Sequence, residues 1–154
     1  MDNHVPRHIL PLLVLAQFMG TSLWFAVNAV MPDLQRELGW PTSAVGTLTS
    51  ALQFGFILGT LVFALLAIAD RFAPRQVFLV CALAGAGCTV GAWAMVRDQD
   101  ALMLWRFATG FFLAGIYPVG MKIAAQWYTR GLGPALGLLI GALVLGSASA
   151  HALR

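Results

Sequence analysis

Charged residues are scarce in this chain, and their absence from long stretches is its most informative property. Only 10% of the 154 residues are charged, while 60% are hydrophobic. Soluble domains usually carry about a quarter charged residues. Segments 38–69 and 76–96 contain no Lys, Arg, Asp or Glu. Because about 20 apolar residues suffice to cross a bilayer, these segments predict membrane-spanning helices and argue against a compact soluble fold.

The sequence also lacks the signatures of enzymes and of metal sites. It contains no HExxH, GxSxG or P-loop pattern, and no predicted span carries a carboxylate. Its two cysteines, Cys81 and Cys88, are separated by about 10 Å along a helix axis, which is beyond disulfide reach. The net charge of +3 is small and its basic residues are scattered. We therefore expect no enzymatic activity, cofactor, metal ion or nucleic-acid partner, and a lipid bilayer as the surroundings.

Apolar runs punctuated by proline, glycine and capping residues predict an all-α, multi-pass helix bundle that takes up residues 1–154. Pro32 is expected to end the first helix, and Asp100 is expected to cap the fourth. Tyr117-Pro118 is expected to bend the fourth helix. The five predicted transmembrane helices cover about 9–31, 43–68, 76–96, 101–128 and 134–154.

Basic residues in the connections predict the orientation of the bundle. Cytoplasmic loops carry an excess of Lys and Arg, so the better-supplied side marks the cytoplasm. The amino-terminal tail and the even-numbered loops hold four arginines, whereas the odd-numbered loops hold two: Arg7, Arg71, Arg75 and Arg130, against Arg36 and Arg97. We therefore predict a cytoplasmic amino terminus.

One face of the first helix is polar. Gln17, Thr21, Trp24 and Asn28 are spaced four, three and four residues apart, so they share a helix face. A polar face inside a membrane points at other helices or at water. It therefore serves either as hydrogen-bonding contact between helices or as the wall of a solute cavity.

Two cations lie within the fourth predicted helix. Lys122 is followed by Trp127 and Tyr128, residues typical of the membrane interface, which favours an interfacial position for its ammonium group. Arg106 either reaches the opposite interface or points inward, and its face continues toward Tyr117.

Small residues recur at a spacing that lets helices approach closely. Pairs of glycines four residues apart are typical of close helix contacts in membranes. We assign this packing role to the pairs Gly55 and Gly59, and Gly137 and Gly141, and we also expect Gly110 to be a packing residue.

Several motifs resemble the major facilitator superfamily. The turn after the second helix carries Asp70-Arg71 and Arg75, and residues 106–110 read Arg-Phe-Ala-Thr-Gly. Both are similar to signatures of that family, although Ala73 stands in the turn where most members have glycine. Residues 113–122 resemble bacterial members near the cyanate and nitrate permeases.

The resemblance implies twelve helices in two six-helix halves, of which this chain supplies most of the amino-terminal half. It implies transport of a small solute across the bacterial inner membrane, driven by a proton or another gradient, and no transport by this fragment without the missing remainder. Arg106 and the anion-permease likeness favour an anion. The implied roles are a conformational gate for Asp70, Arg71 and Arg75, anion sensing or proton coupling for Arg106, and a cavity lining for Gln17, Thr21, Trp24, Asn28 and Tyr117.

An alternative from another class is a small, self-contained membrane subunit that acts through helix–helix contacts and has no transport cycle.

Overall fold

The computed structural model describes residues 6–95, 97–128 and 131–152, and every regular element within them is an α-helix. Three stretches are long and apolar enough to cross a bilayer: Ser43–Leu65, Pro74–Ala94 and Gln99–Trp127. Two shorter apolar helices flank them. The predicted all-α, multi-pass class is confirmed. The helices are α1 (Ile9–Ser22), α2 (Ala26–Leu38), α3 (Ser43–Leu65), α4 (Ile68–Arg71), α5 (Pro74–Ala94), α6 (Gln99–Leu113), α7 (Tyr117–Trp127) and α8 (Leu132–Ala152).

The first predicted helix is divided in the structure. α1 and α2 are separated by residues 23–25, the first helix break. Here the amides of Trp24 and Phe25 donate to carbonyls only three residues earlier, at 3.0 Å each. The Thr21 and Ser22 hydroxyls donate to carbonyls of the preceding turn, both at 2.7 Å. Such side-chain bonds often bend helices.

Pro32 does not end a helix as expected, because it lies inside α2. Gly39 ends α2 instead, with a positive φ of 67° that glycine adopts without steric cost. Similarly, α3 ends at Leu65 rather than near residue 68, since Ala67 takes a left-handed φ of 49°. Asp98, not Asp100, caps α6: its carboxylate accepts from the amides of Asp100 and Ala101 at 3.0 and 3.2 Å.

The fourth predicted helix is bent where Pro118 was expected to bend it. α6 ends at Leu113, and α7 begins at Tyr117 after residues 114–116, the second helix break. Pro118 lies in the first turn of α7, where its missing N–H leaves no helical bond to break. The bend is confirmed.

Glycines bring α3 and α6, the most extensively packed helix pair, into close contact. A methyl group on Gly55 would overlap the carbonyl of Phe107, and one on Gly110 would overlap the carbonyl of Leu52. Gly59 is also held against the α6 backbone. In a bilayer, where water does not drive helices together, such backbone proximity supplies much of the association.

Gly137 and Gly141 of α8 differ from the closely packed glycines of α3 and α6. Nothing lies within 4 Å of a methyl group built on Gly137 or Gly141 in the described part of the chain. α8 packs on α1, and its buried residues are Ala135, Leu139 and Ala142. The packing role expected of Gly137 and Gly141 is therefore not met by any contact among these residues.

Buried apolar side chains form two cores, one at each end of the bundle. Large apolar side chains such as Trp93 and Phe54 are 78% and 68% exposed, as expected of a lipid-facing surface. The turn-side core contains Leu52, Val77, Cys81, Leu113, Ile116, Val119 and Ile123. The far core contains Met31, Ala44, Leu48, Ala92 and Leu102.

Candidate functional site

A cavity of about 380 Å³ lies where the two helix breaks meet α3 and α8. Half of its wall is aromatic, and each break contributes residues on or beside it. Discontinuous helices frequently form the solute sites of membrane transporters. The lining residues are Thr21, Trp24, Phe25, Phe56, Leu113, Tyr117, Leu143 and Val144. We call this space the aromatic cavity.

Trp24 is the central ring of the aromatic cavity. Its ring meets that of Phe56 edge to face, with centroids 5.3 Å apart and planes at 72°. The Phe25 ring lies 6.5 Å away, tilted by 43°. Edge-to-face pairs are favourable arrangements of aromatic quadrupoles. These contacts hold the Trp24 ring in one orientation at the wall.

The six residues predicted to line a cavity or to couple transport divide into three groups. Thr21, Trp24 and Tyr117 line the aromatic cavity. Gln17 and Arg106 are both buried, at 1% exposure, and are not among the lining residues. The side chain of Asn28 lies outside the described residues. Phe25 and Phe56, which line the cavity, were missed because an apolar ring in an apolar helix gives no sequence signal.

The Arg106 guanidinium binds backbone carbonyls. One terminal nitrogen donates to the carbonyl of Leu23 at 3.3 Å, and the other donates to the carbonyl of Trp24 at 2.9 Å. Its Nε has no partner within the described part of the chain. The buried cation therefore lies directly against the backbone of the first helix break.

Gln17 is a second buried polar group. Neither its amide nitrogen nor its amide oxygen has a hydrogen-bond partner among the described residues. The amide oxygen fills the space that a side chain at Gly120 would need. Its backbone carbonyl accepts the Thr21 hydroxyl at 2.7 Å. Gln17 thus contacts α7 and lies one turn from the aromatic cavity.

The turn of residues 69–75, which we call the charged turn, is bonded to α7. Lys122 Nζ donates to the Asp70 carboxylate at 2.5 Å and to the Ala69 carbonyl at 2.7 Å. At the other end of the turn, the Arg75 guanidinium lies 5.7 Å from the centre of the Trp127 ring, within cation–π distance. Arg71 is exposed. The sequence predicts only an interfacial position for Lys122, and no local pattern predicts its pairing with Asp70, 52 residues away.

Metal binding finds no support in the described ranges. No group of three or more His, Cys, Asp or Glu side chains there is placed to hold a metal ion.

Sequence comparisons assign the chain to a family. The sequence pattern of the Major Facilitator Superfamily matches residues 13–153, and the chain belongs to this superfamily. It is therefore a multi-pass membrane protein, in agreement with its apolar helices.

Two curated relatives illustrate the similarity. The chain is 26% identical over 146 residues to a gallate transporter of Pseudomonas putida, a match covering 88% of this chain and 32% of the relative. It is 30% identical over 102 residues to the 4-hydroxybenzoate transporter PcaK of Acinetobacter baylyi, covering 66% of this chain and 22% of the relative. The chain thus spans about a third or less of these proteins. No solved structure gives a significant match.

Proposed function

We propose that this chain forms part of the solute pathway of a secondary transporter for small aromatic carboxylates. The observation that carries the proposal is the aromatic cavity, where Trp24, Phe25, Phe56 and Tyr117 surround a space of about 380 Å³. Flat rings stack on or meet aromatic side chains edge to face. Gallate and 4-hydroxybenzoate, named for the two relatives, are both hydroxylated benzoates and share such a ring.

The broader features of the proposal follow the family. The chain would act in the bacterial inner membrane with its amino terminus in the cytoplasm, without enzymatic chemistry, and with a coupling proton. It would form one wall of the pathway, and the remainder of the transporter would supply the other. For that reason we expect no gradient-driven uptake by the 154-residue chain alone.

Ligand-observed NMR tests the substrate class. For the chain in lipid nanodiscs, saturation transfer should reach the ring protons of benzoate and 4-hydroxybenzoate, because their rings enter the aromatic cavity. Cyclohexanecarboxylate, with the same charge and a non-planar ring, should receive much less. Empty nanodiscs report partitioning into lipid alone. Equal transfer to both acids would overturn the aromatic class, and no transfer to either would favour a membrane subunit without a solute site.

The charged turn is proposed as a conformational gate that Lys122 holds closed. The Asp70 side chain is 74% exposed and that of Lys122 is 33% exposed, so their ion pair contributes at most about 1 kcal/mol. An ion pair this weak can break and re-form as the gate opens and closes. Asp70, Arg71 and Arg75 would then move with the end of α7.

Removing the Lys122 ammonium tests this gate. Lys122→Met should speed amide hydrogen exchange across residues 69–75, because both bonds to the turn are lost, while thermal stability changes little. Arg97→Met, which removes an exposed cation before α6, is the matched control. If Lys122→Met leaves exchange in the turn unchanged, Lys122 does not hold it.

A further inference from the structure

The first helix break leaves backbone carbonyls that need partners. A helix end leaves its last carbonyls without intrahelical donors. Within a bilayer, each unpaired carbonyl is costly because no water reaches it. Residues 23–25, between α1 and α2, are half-buried. A hydrogen-bond donor from another helix can therefore satisfy the carbonyls that the break leaves.

Arg106 supplies that donor from the middle of α6. It is 1% exposed, and its two terminal nitrogens each bond to one carbonyl of the break, those of Leu23 and Trp24. The carboxyl end of a helix also carries partial negative charge, which a cation stabilises. The guanidinium therefore caps α1 from a residue more than 80 positions away along the chain.

Trp24 makes contacts through both its backbone carbonyl and its ring. Its carbonyl accepts from Arg106, while its ring lies in the aromatic cavity against Phe56. Arg106 is not among the residues that line this cavity. Its influence on a solute would therefore pass through the backbone of Trp24.

We propose that Arg106 is a positioning residue: it caps the broken first helix and so fixes the Trp24 ring in the cavity, without itself binding the solute. The proposal deepens the proposed function, because it takes the aromatic cavity as the solute site. The rival role is direct binding of a carboxylate by Arg106, for which its unpartnered Nε would be the donor.

Ligand-free fluorescence tests the positioning role. The experiment uses the full chain in nanodiscs with Trp24 as the sole tryptophan, after changing Trp40, Trp93, Trp105 and Trp127 to Phe. Arg106→Met keeps an apolar chain but removes every donor, and it should raise collisional quenching of Trp24 several-fold. Arg106→Lys, which retains the charge but has one ammonium for two carbonyls, should give a smaller increase. Arg97→Met, which removes an exposed cation before α6, is the control and should give none.

Folding is checked by circular dichroism. If Arg106→Met does not fold, the lysine variant carries the test. Unchanged Trp24 quenching in a folded Arg106→Lys protein would overturn the proposal. Because this readout uses no ligand, it stands even if the chain binds no aromatic acid.

A ligand comparison separates the positioning role from the rival role. In Arg106→Lys, saturation transfer to benzoate and to neutral benzamide should fall by the same factor, because the ring site itself is disturbed. If only benzoate loses signal, Arg106 recognises the carboxylate directly, and the positioning role is wrong.

Discussion

Gly110→Ala is expected to disrupt the packing of the helix bundle. The added methyl group would overlap the Leu52 carbonyl, a backbone atom that cannot rotate away. Overpacking of this kind costs about 1–3 kcal/mol, and here it would push apart α3 and α6, the most extensively packed helices. We expect a clear fall in the thermal stability of the detergent-solubilised chain, measured by fluorescence-detected size exclusion after heating.

Gly137→Ala is the matched control for this effect. It makes the same substitution in a membrane helix, but nothing among the described residues lies within 4 Å of the new methyl group. Since alanine favours helices over glycine by about 1 kcal/mol, Gly137→Ala should be neutral or mildly stabilising. Equal losses at both positions would show that the α3–α6 approach is not what holds the bundle together.

Trp24→Ala is expected to cause the largest loss of ligand binding. The substitution removes the ring that meets Phe56 and leaves the cavity wall open at the first helix break. The loss of one aromatic contact, at about 1.4 kcal/mol, corresponds to roughly tenfold weaker binding of 4-hydroxybenzoate. Titration by saturation-transfer NMR measures the change.

Trp93→Ala controls for the removal of an indole ring. Trp93 is 78% exposed on the surface of α5, outside the aromatic cavity. It should leave the affinity for 4-hydroxybenzoate unchanged. A similar loss in both variants would mean that the ligand binds elsewhere, or that either change disturbs the whole bundle.

The sequence predicted the class of fold and one of the two helix breaks. Long uncharged runs predict membrane helices reliably, since crossing the hydrocarbon core demands them. Pro118 indicates the second break because proline restricts the backbone locally. The first break gave no such signal: it lies at Leu23-Trp24-Phe25, and it is held by Arg106 of another helix.

The candidate site likewise combines features that local sequence patterns predict with features that they do not. The polar pattern on the first helix predicts Thr21 and Trp24 as cavity residues because their spacing places them on one face, and both lie at the aromatic cavity. It could not tell that Gln17, on that face, is covered by Gly120 of α7. Likewise, Lys122 and Asp70 meet only because α7 returns to the charged turn. Contacts between distant segments of the chain depend on packing that local patterns do not encode.

The two helix breaks have a consequence for the stiffness of the bundle. At each one the hydrogen-bond ladder of a membrane-crossing helix is incomplete, so the two helical segments are joined less stiffly than in a continuous helix. α2 packs into the far core through Met31, while α7 packs into the turn-side core through Val119 and Ile123. The aromatic cavity lies at the two breaks, between these packed ends, so a change in the angle at either break would alter the shape of this space.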